Sequence, residues 1–119
     1  MLSNHSFERK EIEKTYFDKA NIYRNEKTKV NGQTKFIPKL IYENQPCGLS
    51  KKTLADNNQS DSNNQIGYNV TLFIAPEIDI KQGDLIDVNH FDKVKKYVAG
   101  EPFEYVTHQE VNLLREDRA

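Results

Sequence analysis

IGYNVTLFIAP, residues 66–76, decides the fold. Ile66, Tyr68, Val70, Leu72 and Ile74 fall on one side of an extended chain. Gly67, Asn69, Thr71, Phe73 and Ala75 fall on the other. Strict alternation of this kind marks a β-strand with one face toward a core, and Pro76 ends it. Immediately upstream stands DNNQSDSNNQ, residues 56–65, made only of Asp, Asn, Gln and Ser. That run cannot join a core, and a loop of its size inside a small domain is functional or disordered.

Further upstream, YFDKANIYRNEKTKV runs into Asn31-Gly32, and QTKFIPKLIYENQ follows. Asn-Gly tolerates φ > 0 at both positions, so the two segments read as a hairpin. Phe36, Leu40 and Tyr42 form the apolar side of the second strand. Pro38 cannot donate to a ladder, which places that portion at an edge or a bulge. NQPCGLS, with Pro46 and Gly48 around Cys47, is expected to break and restart the strand. Downstream, Lys81-Gln82-Gly83-Asp84 turns into LIDV, and HFDK separates that from VKKYV. FEYVTHQEVNLLRE alternates again through Val111 and Leu113. At the N-terminus, Ser6 is placed to cap a short helix through Glu8 to Lys14, although a charged arm reads equally well.

The chain therefore reads as mainly all-β, an antiparallel barrel or sandwich of about five to seven strands. Residues 16–119 form one domain with a long flexible polar loop over 51–65. Residues 1–15 form a short helix or arm. The 119 residues suffice for one modest core. Only 36% are hydrophobic, while 29% are charged. A fraction that low fits a thin core, partial disorder or a subunit completed by assembly. Seventeen basic and eighteen acidic residues nearly cancel, so no global field attracts nucleic acid or a membrane surface. No secretory signal or membrane span is evident, and one cysteine allows no intrachain disulfide. The expectation is a soluble protein made in the cytoplasm.

The chemistry is sparse. Cys47 with His5, His90 or His108 would make a nucleophilic pair, but a small buried thiol is the plainer reading. Thr107-His108-Gln109-Glu110 offers one His and one Glu without zinc spacing. Asp56-x-Asn58-x-Ser60 opens like a calcium loop. It fails at Asp61, where Gly is required, and at Gly67, where Glu is required. Lys51-Lys52 and Lys93, Lys95 and Lys96 would line a basic rim if they met in a ring of subunits; an ordinary solvated face is the plainer reading. The expectation is no cofactor, no metal and no catalysis.

Four blocks carry more: YFDKANIYR (16–24), IYENQPCGLSKKTL (41–54), FIAPEIDIKQG (73–83) and YVTHQEVNL (105–113). In this order and spacing the chain resembles the minor capsid, or head-completion, proteins of tailed bacteriophages and prophages of Gram-positive bacteria. The residues carrying the resemblance are Tyr42, Glu43, Asn44, Pro46, Cys47, Leu49, Ser50, Ala75, Pro76, Thr107, His108, Gln109 and Glu110. The resemblance implies a virion protein at the head–tail junction, a stopper that closes the DNA exit channel after packaging. Its partners would be the portal and adaptor connector above, and a tail completion protein or tail tube below. It implies a ring of six or twelve copies in the virion, a monomer when isolated, non-specific contact with packaged DNA and no membrane. It also gives the polar run a role as a channel plug, formed by Lys51, Lys52, Asp56, Asn57, Asn58, Gln59, Ser60, Asp61, Ser62, Asn63, Asn64 and Gln65. Three other readings stay open: a tail-terminator or neck protein of the same barrel type, an oligonucleotide-binding barrel using Tyr97 with Lys95 and Lys96, and an enzyme built on Cys47.

Overall fold

The computed structural model describes residues 4–54 and 67–115. Among these, one helix, α1 (Asn4–Glu13), precedes six strands: β1 (Asp18–Val30), β2 (Gln33–Leu54), β3 (Gly67–Ile74), β4 (Leu85–His90), β5 (Lys93–Glu104) and β6 (Gln109–Arg115). Every pairing is antiparallel, and the ring closes in the order β1-β2-β3-β6-β5-β4. Closure leaves the barrel wall without a sheet edge.

The alternation in residues 66–76 sets the wall's inner face. Leu72 and Ile74 are fully buried, Val70 partly so, and Phe73 and Thr71 point outward. They meet Ala20, Ile22, Cys47, Ile86, Val88, Tyr97, Ala99, Val111 and Leu113 in one core, which Ile80 of the β3–β4 loop caps. Ile66 lies outside the described residues. The barrel closes where β1 pairs with β4, and there His90 Nδ1 lies 2.7 Å from the buried Asp18 Oδ1.

Asn31-Gly32 makes the expected turn, with φ of 52° and 78° between Val30 and Gln33. What it joins is not wholly barrel wall. β1 leaves β4 after Tyr23, opposite Leu85. From Arg24–Lys39 to Val30–Gln33 the two strands pair only with each other. These seven pairs form an arm of roughly 23 Å at about 3.3 Å per residue. Phe36 and Leu40, read as a core-facing side, are therefore 67% and 42% exposed. No third element covers that face among the described residues. Pro38 sits on this arm, where one flank of the strand has no ladder to satisfy.

Two sequence expectations need correcting. The segment NQPCGLS does not interrupt the strand, because β2 runs unbroken for 22 residues. Its irregularities are bulges. Glu43 and Asn44 together oppose Asn21, and Ile41 is the extra residue between the Tyr42 and Leu40 pairs. Asn44 takes φ of 52° and donates its backbone N–H to Asn21 Oδ1 at 2.7 Å. The bulges absorb the bend that Pro46 and Gly48 appeared to require. Likewise, Lys51 and Lys52 are strand residues opposite Val70 and Asn69, and pairing continues to Leu54 opposite Gly67. The expected loop thus begins later than residue 51, and its remaining predicted residues lie outside the described residues.

The N-terminal helix forms, with Ser6 inside it rather than capping it. It is held by a few contacts. Arg9 reaches both carboxylate oxygens of Glu77 and also bonds Glu13 at 2.7 Å. After it, the Tyr16 ring packs on Gly48, where an added Cβ would sit 3.4 Å from the ring.

Candidate assembly interface

The four sequence blocks converge. Asp18, Cys47, Ile74, Gln109 and Glu104 are consecutive register partners across β1, β2, β3, β6 and β5. One row of the wall therefore contains a member of the first, second, third and fourth block. Gln109 is the tie. It is 1% exposed, and its Nε2 donates to Ala75 O at 2.9 Å and to Ile78 O at 2.5 Å. This anchors the turn that starts at Pro76, whose own closing bond runs from Ile78 N to Ala75 O. Tyr42 ties the same loop from β2, its hydroxyl accepting from Asp79 N at 3.1 Å.

Next to Gln109 the chain points outward. His108 lies between Thr107 Oγ1 at 2.9 Å and Glu110 Oε2 at 3.0 Å. Its ring stacks on Tyr105 with centroids 4.9 Å apart and lies 5.7 Å from Phe73. Tyr105 in turn meets Phe103 at 4.9 Å. So Thr107, His108 and Glu110 do not form a metal set. No cluster of three metal-type ligands occurs among the described residues. They hold a ridge of aromatic rings on the outside of the β5–β6 hairpin, beside a hollow of about 500 Å³. Gly100, Glu101, Pro102, Phe103, Asn112 and Leu114 line that hollow. The β-bulge between Ala99 and Pro102 makes it.

The arm has its own anchor, which the sequence reading missed. Arg24 donates Nε to Asp84 Oδ1 at 2.9 Å and Nη2 to Asp84 Oδ2 at 2.8 Å. Nη2 also reaches Asp79 O at 2.9 Å. Asp84 is 3% exposed and accepts from Lys81 N as well. The bond to the Asp84 carboxylate holds the Arg24 guanidinium above its ordinary value. The base of the arm is therefore clamped to the β3–β4 loop by a two-pronged, charge-assisted contact. Arginine at the last β1 position beside the barrel, with aspartates flanking a turn, was the available signal. Sequence alone gave no reason to pair them.

The remaining predicted residues have plain places. Cys47 is fully buried, and burial, with the charge of Asp18 adding to it, pushes its thiol up to about 12. A reactive thiol is accessible and acidified, and Cys47 in this fold is neither. Leu49 packs against the core, Pro46 pairs with Lys19, and Glu43 and Ser50 are exposed. Tyr97 faces the core and is not a stacking platform for a base. Lys51 and Lys95, read as an ordinary solvated face or as a basic rim were they to meet in a ring, line one cavity of about 250 Å³ with Arg115 in a single subunit. Asp56, Asn57, Asn58, Gln59, Ser60, Asp61, Ser62, Asn63, Asn64 and Gln65 lie outside the described residues.

No protein-family model and no curated protein matches the chain. A solved structure does: the phage-like element PBSX protein xkdH from Bacillus subtilis, with a TM-score of 0.54 and 15% sequence identity. The match covers 82% of this chain and 92% of that one. At this identity the likeness is one of fold. The chain shares its closed antiparallel sheet with a protein of a phage-like element.

Proposed function

We propose that this chain is a non-enzymatic structural subunit of a phage neck, serving as the head-closure stopper of the head–tail connector. The observation that carries the reading is the fold it shares, over 82% of this chain and 92% of that one, with a protein from a phage-like element. The sequence blocks that resemble head-completion proteins support it, and their packing into one row of the wall gives them a common structural reason. In this reading copies assemble in a ring beneath the portal and adaptor. The arm and the aromatic ridge offer two separate surfaces to neighbours. The polar run that follows Leu54 obstructs the channel.

The test is to mix the protein with DNA-filled capsids bearing portal and adaptor, and to image the vertex. A ring of density below the adaptor that retains DNA is expected. Binding to isolated tails alone would make it a tail-terminator, with the same barrel and a different partner. Deleting residues 55–64 isolates the obstruction: DNA retained equally well in tail-less heads would remove that role.

A further inference from the structure

Charge is divided unequally along this nearly neutral chain. Residues 24–40, the arm and its base, contain Arg24, Lys27, Lys29, Lys35 and Lys39 against one acidic residue, Glu26. Residues 97–114 contain Glu101, Glu104 and Glu110 and no lysine or arginine. Both regions also expose apolar side chains. The arm exposes Val30, Phe36, Ile37 and Leu40, and the β5–β6 hairpin exposes Phe103, Tyr105, Val106 and Leu114. An isolated exposed apolar residue needs no explanation, but grouped ones beside a hollow do.

The arm presents these groups in order. Cross-strand partners share a face, so Lys27 stands beside Phe36, and Leu40 follows on the same side. Ile37 and Lys35 occupy the opposite face. On the hairpin, Phe103 and Leu114 border the hollow made by the bulge, and Glu101 lies in its lining. In the ring order, β1 and β2 lie across the barrel from β5 and β6. An arm on one side and a receptacle on the other cannot meet within one molecule without breaking the Arg24 clamp.

We propose that the arm of one copy docks on the outer face of the β5–β6 hairpin of the next. The arm's Phe36 and Leu40 cover the hollow beside Phe103 and Leu114, and Lys27 and Lys29, on the same face, meet Glu101 and Glu110. The contact joins two different surfaces, so it repeats from copy to copy and closes a ring when the rotation allows. Charge complementarity selects a second copy as occupant. The apolar side chains beside the lysines argue against a phosphate backbone, which offers them nothing to bury. The Arg24 clamp contributes by fixing the arm's direction before contact, so less freedom is lost on docking. The inference rests on the two surfaces alone and holds whichever end of the connector the chain serves.

The experiment is sedimentation of the purified chain from about 10 μM to about 1 mM, at low and high salt, since a small contact of this kind is weak. One variant carries Lys27→Glu and Lys29→Glu; a second carries Glu101→Lys and Glu110→Lys. Mass rising with concentration at low salt and falling at high salt is expected for the unaltered chain. Each variant alone should associate at least about tenfold more weakly, because like charges then face each other. Mixed in equal amounts, the two variants restore association, since every arm again finds a hairpin of opposite charge. That recovery also shows that both variants fold. An unaltered chain that stays monomeric throughout, or a mixture that does not recover, overturns the proposal. So does duplex DNA bound by the unaltered chain and released by the arm variant, without any self-association.

Discussion

Replacing Gln109 by leucine tests whether one buried amide holds the sequence blocks together. The substitution nearly conserves volume, so it leaves no cavity to complicate the reading. It removes two donors, to Ala75 O at 2.9 Å and to Ile78 O at 2.5 Å. A neutral hydrogen bond contributes about 0.5–1.5 kcal/mol net, and a buried acceptor left unpaired costs about 1–3 kcal/mol. Ala75 O keeps its bond from Ile78 N, so the substitution costs one hydrogen bond there and takes the side-chain donor from the partly buried Ile78 O. The expected loss is then about 2–4 kcal/mol, a large share of the roughly 5–15 kcal/mol that holds a domain together. Urea unfolding should show a midpoint lowered by about 1–2 M with an unchanged slope. Gln109→Glu adds a pH signature. The new carboxylate would face two carbonyl oxygens and stand opposite Glu104, so its folded pKa lies above the ordinary value near 4.3. Below about pH 4 it is protonated in both states and the deficit is small. As pH rises past 4.3, the unfolded chain gives up the proton first. Stability then falls by up to about 1.4 kcal/mol per pH unit until the folded pKa is passed. A Gln109→Leu protein within about 0.5 kcal/mol of the parent would refute the reasoning. So would a Gln109→Glu deficit that stays flat from pH 4 to pH 8.

Three further outcomes follow from the geometry. Arg24→Met should cost about 1.5–3 kcal/mol, because it takes the cationic partner from the buried Asp84 carboxylate. Lys39→Met, which breaks only an exposed 3.6 Å pair with Glu26, should cost under about 0.5 kcal/mol. Equal effects in denaturation would contradict the clamp, and hydrogen exchange over residues 25–29 should quicken in the first variant alone. Gly100→Ala brings a Cβ to 3.0 Å from Asn112 O and should lower the melting temperature, while Gly48→Ala, at 3.4 Å from the Tyr16 ring, should be nearly silent. Phe91 occupies the β4–β5 turn at φ of 49°. Phe91→Asn should therefore raise stability by about 0.5–1 kcal/mol, as asparagine tolerates that conformation better. An unchanged or lower melting temperature would mean that the ring contact with His90, at 4.3 Å, outweighs the backbone cost.

The aspects of this protein that depend on near neighbours were legible in the sequence. Alternation gave the inner and outer faces of β3 correctly from Asn69 to Ile74, since side chains of a strand alternate whatever the strand pairs with. Asn31-Gly32 fixed the turn and, through it, the β1–β2 register as far as the first bulge, from Val30–Gln33 back to Tyr23–Leu40. Val111 and Leu113 were read as buried and are. The positions that misled were those whose fate depends on a distant strand. Phe36 and Leu40 have the same period-two pattern as Leu72 and Ile74, but β4 stops pairing at Leu85 and, among the described residues, nothing covers that face of the arm. Pro46 and Gly48 look like a break, yet β1 on one side and β3 on the other carry β2 straight through. Arg24 and Asp84 are 60 residues apart, so only the closed ring could set a guanidinium against a buried carboxylate. Local sequence determined the strands, the turns and the division of charge. Tertiary structure decided which apolar faces became core and which were left exposed, because burial is a property of what lies opposite.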